Sequence, residues 1–568
     1  MTSPLPPETD ALCDDSTWNP DDQYYECEGP YEIPLTMVDQ DGSTLQEYDD
    51  FRVLEKIVSK NDTEALEQYF TIAPWVTPRA LALLDEDGRA DPFCLAASNG
   101  CLGVLKILLA HYTKDKDPTL PIRFKARGYE LLNVAARRGR VEVVQFLLEN
   151  QPQYASIHER DPDGYTAVAS AADIDINLYL SFSSPEEVYA TKNEAMMNLL
   201  LDRGACASDV VLPRNDKEKT PDTVLTLAAQ WAGPDLIKRL ITSGADVHAK
   251  VSRDPCNLGI WDEHGCLDPW DPELWNQSQH YYIYDVTAFF VACLHANMQA
   301  IETLIEYRGV GVDVRDLICS PDSCGGLPLH WATRNQVPDD PKYGPISVLQ
   351  ARIQNVIKVV NLLLDIDPST INIQDNHGNT PLHYATCYLC DEGKEYTAIF
   401  ELLCNRGADA SIRNNKRETP LHTLIHHGAR VDFDTATISI LLSHGAKATD
   451  VDGAGNTPLH FAAENLLRLD TVSLLLEQGA DASIRDAKQD TPAHIAARGV
   501  RWSHGGVRWN EGLKMKANEK IKLQDDILQM MIEAGGAGLM DLPNAEGKSP
   551  REICQKRRDE WRKAYNAL

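Results

Sequence analysis

Residues 1–50 contain no lysine or arginine, against 14 aspartates and glutamates. Basic residues are short over the whole chain as well: 54 Lys and Arg face 85 Asp and Glu, a formal net charge of −31. Such a surface repels polyanions, so direct nucleic-acid binding is not expected. The first 50 residues hold nearly half of that excess and leave −17 for the remaining 518. No apolar run approaches the length of about 18 residues that a bilayer requires, and no membrane span is expected. The opening residues, MTSPLPPETDALCDD, lack the basic and apolar regions of a secretory signal. An intracellular chain, cytoplasmic or nuclear, follows as the expectation. Also missing are a phosphate loop, a dinucleotide fingerprint and a nucleophile motif. No catalytic residue and no cofactor are therefore assigned, and the chain is read as not an enzyme.

Cysteine is not scarce, with 14 copies, but a second C-x-x-C pair is. Cys387 and Cys390 have zinc-like local spacing, with Cys319, Cys324 and Cys404 as remote companions. A structural zinc needs four ligands. Without a matching pair, buried free thiols in a reducing compartment are the expected reading, and no metal is assigned.

What the chain does have is repetition. Leu-Pro-Leu-His at 327–330 is followed by Thr-Pro-Leu-His at 380–383, 419–422 and 457–460, and by Thr-Pro-Ala-His at 491–494. Successive prolines lie 53, 39, 38 and 34 residues apart. Each phrase is answered by a Leu-Leu-x-x-Gly-Ala variant, as LLCNRGA, LLSHGA and LLEQGA, and earlier copies end at Gly204-Ala205 and Gly244-Ala245. Thr supplies an N-cap oxygen, and Pro at the first helical position forfeits a donor that had no partner. Small alanines such as Ala462 and Ala463 let helices approach closely. A second helix over 471–477 ends at Gly479, where only glycine enters the left-handed region cheaply. Helices of eight to ten residues are marginal alone in water, so each must bury its face against the next unit.

The phrase and its phase resemble the ankyrin repeat, and the resemblance covers about 500 of the 568 residues. It implies an all-α solenoid of paired short antiparallel helices with finger loops, about ten repeats plus helical caps. Degenerate copies begin near residues 91, 130, 166, 223 and 287, where Cys94, Asn133, Ala169, Thr226 and Phe290 replace the phrase histidine. In the family that histidine links units by hydrogen bonds, so a less regular N-terminal half is expected. His330, His383, His422, His460 and His494 each come from a different unit. Helices pack about 8–10 Å apart, too far for these side chains to share one metal ion, so they read as structural.

The expected organisation is an acidic disordered tail (1–50), an N-terminal helical cap and connection (51–90), degenerate repeats with long insertions (91–325), regular repeats (326–545) and a capping helix (546–568). Insertions at 173–190, 334–352, 388–396, 428–434 and 499–524 fall between the two helices of a unit. Those at 112–128, 250–285 and 314–324 fall at the finger position, beside the groove that the family uses for binding. The 250–285 insertion carries Trp261, Trp270, Trp275, Tyr281, Tyr282 and Tyr284 among acidic residues. Aromatic anchors of this kind are typical of interface hot spots, and a self-buried mini-core is the competing reading. Lys556, Arg557, Arg558, Arg562 and Lys563 form a candidate nuclear-import patch, or the solvated face of the capping helix. The acidic tail, with Trp18, Tyr24, Tyr25, Tyr31 and Tyr48, is similar to transcription-activation segments, with a solubilising tail as the alternative. The functional expectation is a protein-protein interaction adaptor or scaffold, monomeric on its own and bound to no membrane. A regulatory cofactor of transcription is one form of it, and a cytoplasmic substrate-recruiting or regulatory subunit of an enzyme complex is the alternative.

Overall fold

The computed structural model describes residues 35–38, 44–47, 50–72, 92–114, 131–151, 154–173, 186–212, 220–253, 283–334, 346–389, 396–427, 435–499 and 516–566. The chain divides into two compact units, residues 1–96 with 103–115, and residues 97–102 with 116–568.

In the first unit, β1 (Leu35–Val38) pairs antiparallel with β2 (Thr44–Glu47), Leu35 opposite Glu47 and Val38 opposite Thr44. This hairpin falls in the segment expected to be a tail; residues 1–34 lie outside the described residues. Helices α1 (Asp50–Ser59) and α2 (Thr63–Ile72) follow. Val53, Leu54, Ile57 and Val58 form one apolar stripe on α1, and all are at most 1% exposed. Asn61 turns the chain at φ 54°, and the Asp62 carboxylate caps α2 by accepting from the Ala65 N–H at 2.9 Å. Helices α3 (Pro92–Asn99) and α4 (Leu102–Lys114) straddle the division.

The second unit is a stack of helix pairs. In chain order they are α5 (Leu131–Arg137) with α6 (Val141–Glu149), α7 (Ala167–Ala172) with α8 (Glu186–Asp202), α9 (Val224–Ala228) with α10 (Pro234–Thr242), and α11 (Ala288–Leu294) with α12 (Met298–Glu306). The short α13 (Val314–Cys319) stands at a finger position. Then come α14 (Pro328–Ala332) with α15 (Ile346–Ile366), α16 (Pro381–Tyr388) with α17 (Thr397–Asn405), α18 (Pro420–His427) with α19 (Thr435–Ser443), and α20 (Pro458–Ala463) with α21 (Leu469–Glu477). The last pair is α22 (Pro492–Arg498) with α23 (Ala517–Gly535), closed by α24 (Pro550–Asn566).

The first helices start as the phrase predicts. Thr380, Thr457 and Thr491 are extended, and a proline occupies the next position. Six-residue α20 is buried along its whole length, so it is held by its neighbours rather than by its own propensity. First helices stack in sequence: α16 on α18, α18 on α20, α20 on α22 and α22 on α24. Among the described residues the only sheets are two short antiparallel pairs, the second formed by β3 (Val251–Arg253) and β4 (Ile283–Val286). The fold is thus mostly helical, as expected, with strands added at the ends of the 250–285 insertion.

Several expected insertions are partly helix. Residues 346–352 begin the 21-residue α15, whose Ile353, Val356, Val360 and Leu363 are buried at helical spacing. Residues 517–524 likewise open α23, and α13 occupies much of 314–324. The inserted residues lengthen the second helix backwards, while its first buried apolar side chains among the described residues are Ile353 in α15 and Ile527 in α23.

Candidate protein-binding surface

The phrase histidines join neighbouring units. In His383, Nδ1 accepts from the backbone N–H of Thr380 at 3.1 Å, so the ring proton sits on Nε2 and is donated to the Glu418 carbonyl at 3.1 Å. His422 reaches Asp450 O at 3.2 Å, His460 reaches Asp490 O at 3.2 Å and His494 reaches Lys548 O at 3.2 Å. His330 donates toward Ile373 O at 3.1 Å. Burial holds all five below the ordinary histidine range, with His330 and His383 pushed down to about 4. A protonated ring would aim a second N–H at the N–H of the cap. These rings are neutral structural connectors.

The degenerate half divides that job between other residues, which sequence reasoning missed. Asn133 stands at the histidine position of α5, and its Nδ2 donates to Tyr165 O in the next unit at 2.7 Å. Thr226 stands there in α9, and its Oγ1 accepts from the Thr223 N–H at 2.9 Å. Asn133 keeps the link between units and Thr226 keeps the cap.

The finger turns share one construction. Asp161, Asp322, Asp375, Asn414, Asp452, Asp486 and Asn544 each accept two backbone N–H groups on Oδ1, at 2.7–3.0 Å. The turns are then joined by backbone rungs. Asn376 N donates to Cys324 O (2.8 Å), Asn415 N to His377 O (2.9 Å), Gly453 N to Lys416 O (2.7 Å), Ala487 N to Ala454 O (2.7 Å) and Ala545 N to Lys488 O (3.0 Å). Toward the N-terminus, Ser323 N donates to Tyr284 O (3.0 Å), Ser252 N to Thr220 O (3.3 Å) and Leu212 N to Gly164 O (3.2 Å). The fingers therefore form one hydrogen-bonded edge along the second unit.

The 250–285 insertion is built into this edge at both ends, β3 through Ser252 and β4 through Tyr284. Val251, Ile283 and Val286 bury themselves with Phe290, Val291, Leu294, Cys324 and Trp331. Of the six aromatic candidates, Tyr284 is described and half-buried in β4; Trp261, Trp270, Trp275, Tyr281 and Tyr282 lie outside the described residues. Next along the edge, the Arg334 guanidinium lies 5.6 Å from the Trp331 ring centre and 3.9 Å from that of Tyr384. Trp331 Nε1 donates to Asp322 Oδ2 at 2.7 Å, and the Tyr384 hydroxyl donates to Asp375. Burial pushes the Asp322 carboxyl up.

The C-terminal cations are largely engaged within the chain. Arg558 is held by Asp525 at 2.5 Å and Gln524 at 2.7 Å, Arg557 by Glu560 at 3.0 Å and Arg562 by Asp559 at 3.4 Å. Lys556 and Lys563 are exposed. Cys387 is half-buried, Cys390 lies outside the described residues, and no group of metal ligands occurs among the described residues. No described helix is long and apolar enough to cross a membrane.

Stacked short helix pairs with a hydrogen-bonded finger edge define a repeat-array binding module. The family model for "Ankyrin repeats (3 copies)" matches residues 80–184 and 387–486, and the chain contains ankyrin repeats there. It is similar to the poly [ADP-ribose] polymerase tankyrase of Caenorhabditis elegans, 32% identical over 149 residues, 22% of this chain and 6% of the relative. Human inversin is 26% identical over 206 residues, 34% of this chain and 16% of the relative. The neurogenic locus notch homolog protein 1 of Xenopus tropicalis is 26% identical over 266 residues, 47% and 8%. The chain thus spans a small fraction of each relative's length. Ankyrin repeats are a protein-binding module and generally not a catalytic one; the polymerase is matched in its repeats alone.

Proposed function

We propose that this chain is a non-enzymatic, intracellular adaptor, monomeric on its own, that recruits a protein partner through its finger edge. The segment between β3 and β4 is its specificity element. The observation that carries this reading is the anchoring of that segment. Both of its ends are rungs of the finger edge, and the sequence between them is rich in tryptophan and tyrosine. The acidic, aromatic residues 1–50 support a regulatory role in transcription as one form of the adaptor. The ion pairs of Arg557, Arg558 and Arg562 favour the second form, a cytoplasmic recruiting or regulatory subunit, because they draw cations away from an import patch.

The test is affinity capture with mass spectrometry on the full chain and on a Trp270→Ala, Trp275→Ala variant. Loss of partners with unchanged helical circular dichroism is expected. An identical set of partners overturns the role of this segment. Residues 1–50 tethered to a DNA-binding domain test the transcriptional form; a silent reporter removes it.

A further inference from the structure

Three consecutive finger turns of the regular repeats point their carboxylates inward and their cations outward; at the next turn Glu546 is exposed and paired with Lys548 at 2.6 Å. Among residues 413–418, 452–457 and 486–491 every carboxylate is buried: Glu418, Asp452, Asp486 and Asp490. Asp452 and Asp486 are held by backbone N–H groups, and Asp490 by Arg498 at 2.6 Å and Asn544 at 2.8 Å. Exposed at the same tips are Lys416 and Arg417 on one finger and Lys488 with Gln489 two fingers on. The finger between them ends in exposed Gly453 and Ala454. A side chain at Gly453 would bring its Cβ to 2.9 Å from the Lys416 carbonyl oxygen. That tip carries no side chain larger than a methyl between the two cationic tips.

Backbone strain points to the same tips. The residue that closes each finger turn is in the left-handed region: Gly325, Gly378, Gly455 and Gly547 at φ 74–84°. Arg417 (φ 62°) and Gln489 (φ 59°) take that conformation without being glycine. A Cβ-bearing residue there is strained, so Arg417 and Gln489 carry a backbone cost that glycine at the same turn position avoids.

We propose that the tips at 415–417 and 487–489, across the tip at 453–454, dock an extended acidic segment of a partner protein. Charge complementarity selects this occupant: in a chain of net charge −31, these tips expose cations and no carboxylate. With units about 10 Å apart, the two cationic tips are separated by roughly 20 Å. An extended peptide covers that span in about six residues. The segment therefore carries carboxylates about six positions apart, one set for Lys416 and Arg417 and the other for Lys488. The proposal rests on the adaptor reading and deepens it.

The probe is a fluorescein-labelled peptide of about fourteen residues, with two glutamate pairs six positions apart, titrated against the full chain by anisotropy at low salt. Lys416→Glu with Lys488→Glu is expected to weaken binding by at least about tenfold, while Lys447→Glu, an exposed cation away from the tips, binds as the parent does. Arg417→Gly is expected to raise the melting temperature, by releasing strain, and to weaken the peptide about fivefold. A merely structural Arg417 predicts no such opposition. Parent-like peptide binding by Arg417→Gly and by the double Glu variant overturns the proposal. So does equal binding of a single-stranded oligonucleotide of the same charge, or low-salt self-association in sedimentation that these substitutions abolish. A captured partner that binds the double Glu variant unchanged overturns the acidic-segment inference and leaves the adaptor standing. Absence of any captured partner overturns the adaptor reading, while the peptide titration still reports on the edge.

Discussion

The guanidinium of Arg334 lies 3.9 Å from the ring centre of Tyr384, one unit further along the stack. Arg334 is 2% exposed and also faces Trp331, whose indole is bonded to Asp322. Cation, rings and carboxylate tie α14 to α16 at the junction between the degenerate and regular halves. Arg334→Ala is expected to destabilise the second unit by about 3–5 kcal/mol, because it leaves Asp322 buried without its nearby cation. Arg334→Lys keeps the charge but loses the planar stack, and is expected to rescue less than half of that. Urea midpoints of the three chains decide; a parent-like midpoint for the alanine variant removes the junction role.

Asn133 and Thr226 make different use of the position that histidine holds elsewhere. Asn133→Ala breaks the bond to Tyr165, whose carbonyl keeps the Asp161 N–H at 2.9 Å, so the expected cost is that of one bond, about 1 kcal/mol. Thr226→Val keeps the shape but loses the cap on the Thr223 N–H, for about 1 kcal/mol. Hydrogen exchange separates the two. The first variant is expected to loosen the boundary between α5 and α7, and the second the start of α9. Identical exchange maps would refute the division of labour.

The sequence was most legible where structure is set locally. Proline at the first helical position locates α16, α18, α20 and α22, and Gly407, Gly445 and Gly479 mark the ends of α17, α19 and α21, because neither signal depends on a distant partner. The finger turns were readable but unread: an Asp or Asn five residues before each phrase threonine, as in Asp375 with Thr380 and Asp452 with Thr457, was already present in the text. The pairing of β3 with β4 was not legible, since Val251 meets Val286 only after the chain returns across the insertion. The exchange of histidine for Asn133 and Thr226 was legible, but the bonds they keep were not, because each makes half of the bonding and neither matches the motif. The tryptophans of the candidate site were singled out by composition alone, and their placement lies outside the described residues.

Gly499 ends α22 at φ 68° against the indole of Trp561 on α24. A Cβ there would lie 2.4 Å from one ring carbon and 2.7 Å from another. Gly499→Ala combines that clash with an unfavourable left-handed backbone, and is expected to cost about 2–4 kcal/mol. The loss should appear as faster exchange across α24. Adding Trp561→Ala removes the clash but not the backbone strain, so it should recover only part of the cost. Full additivity of the two substitutions would show that the ring and the glycine do not meet.

Acid should unfasten the regular half first. His330 and His383 are neutral in the fold, with values pushed by burial from 6.5 to about 4. Between these values the unfolded chain binds protons that the folded chain refuses, so stability falls as pH falls from about 7 toward 4. Each of the two is expected to remove about 2 kcal/mol by pH 5, and His422, His460 and His494 act in the same direction. The urea midpoint of the second unit should therefore drop between pH 7 and pH 5. His383→Gln, which can still donate to the Glu418 carbonyl but does not titrate, should flatten the slope while lowering the midpoint at pH 7. A midpoint that is flat from pH 7 to pH 5 would mean that these rings are not the neutral connectors their hydrogen bonds describe.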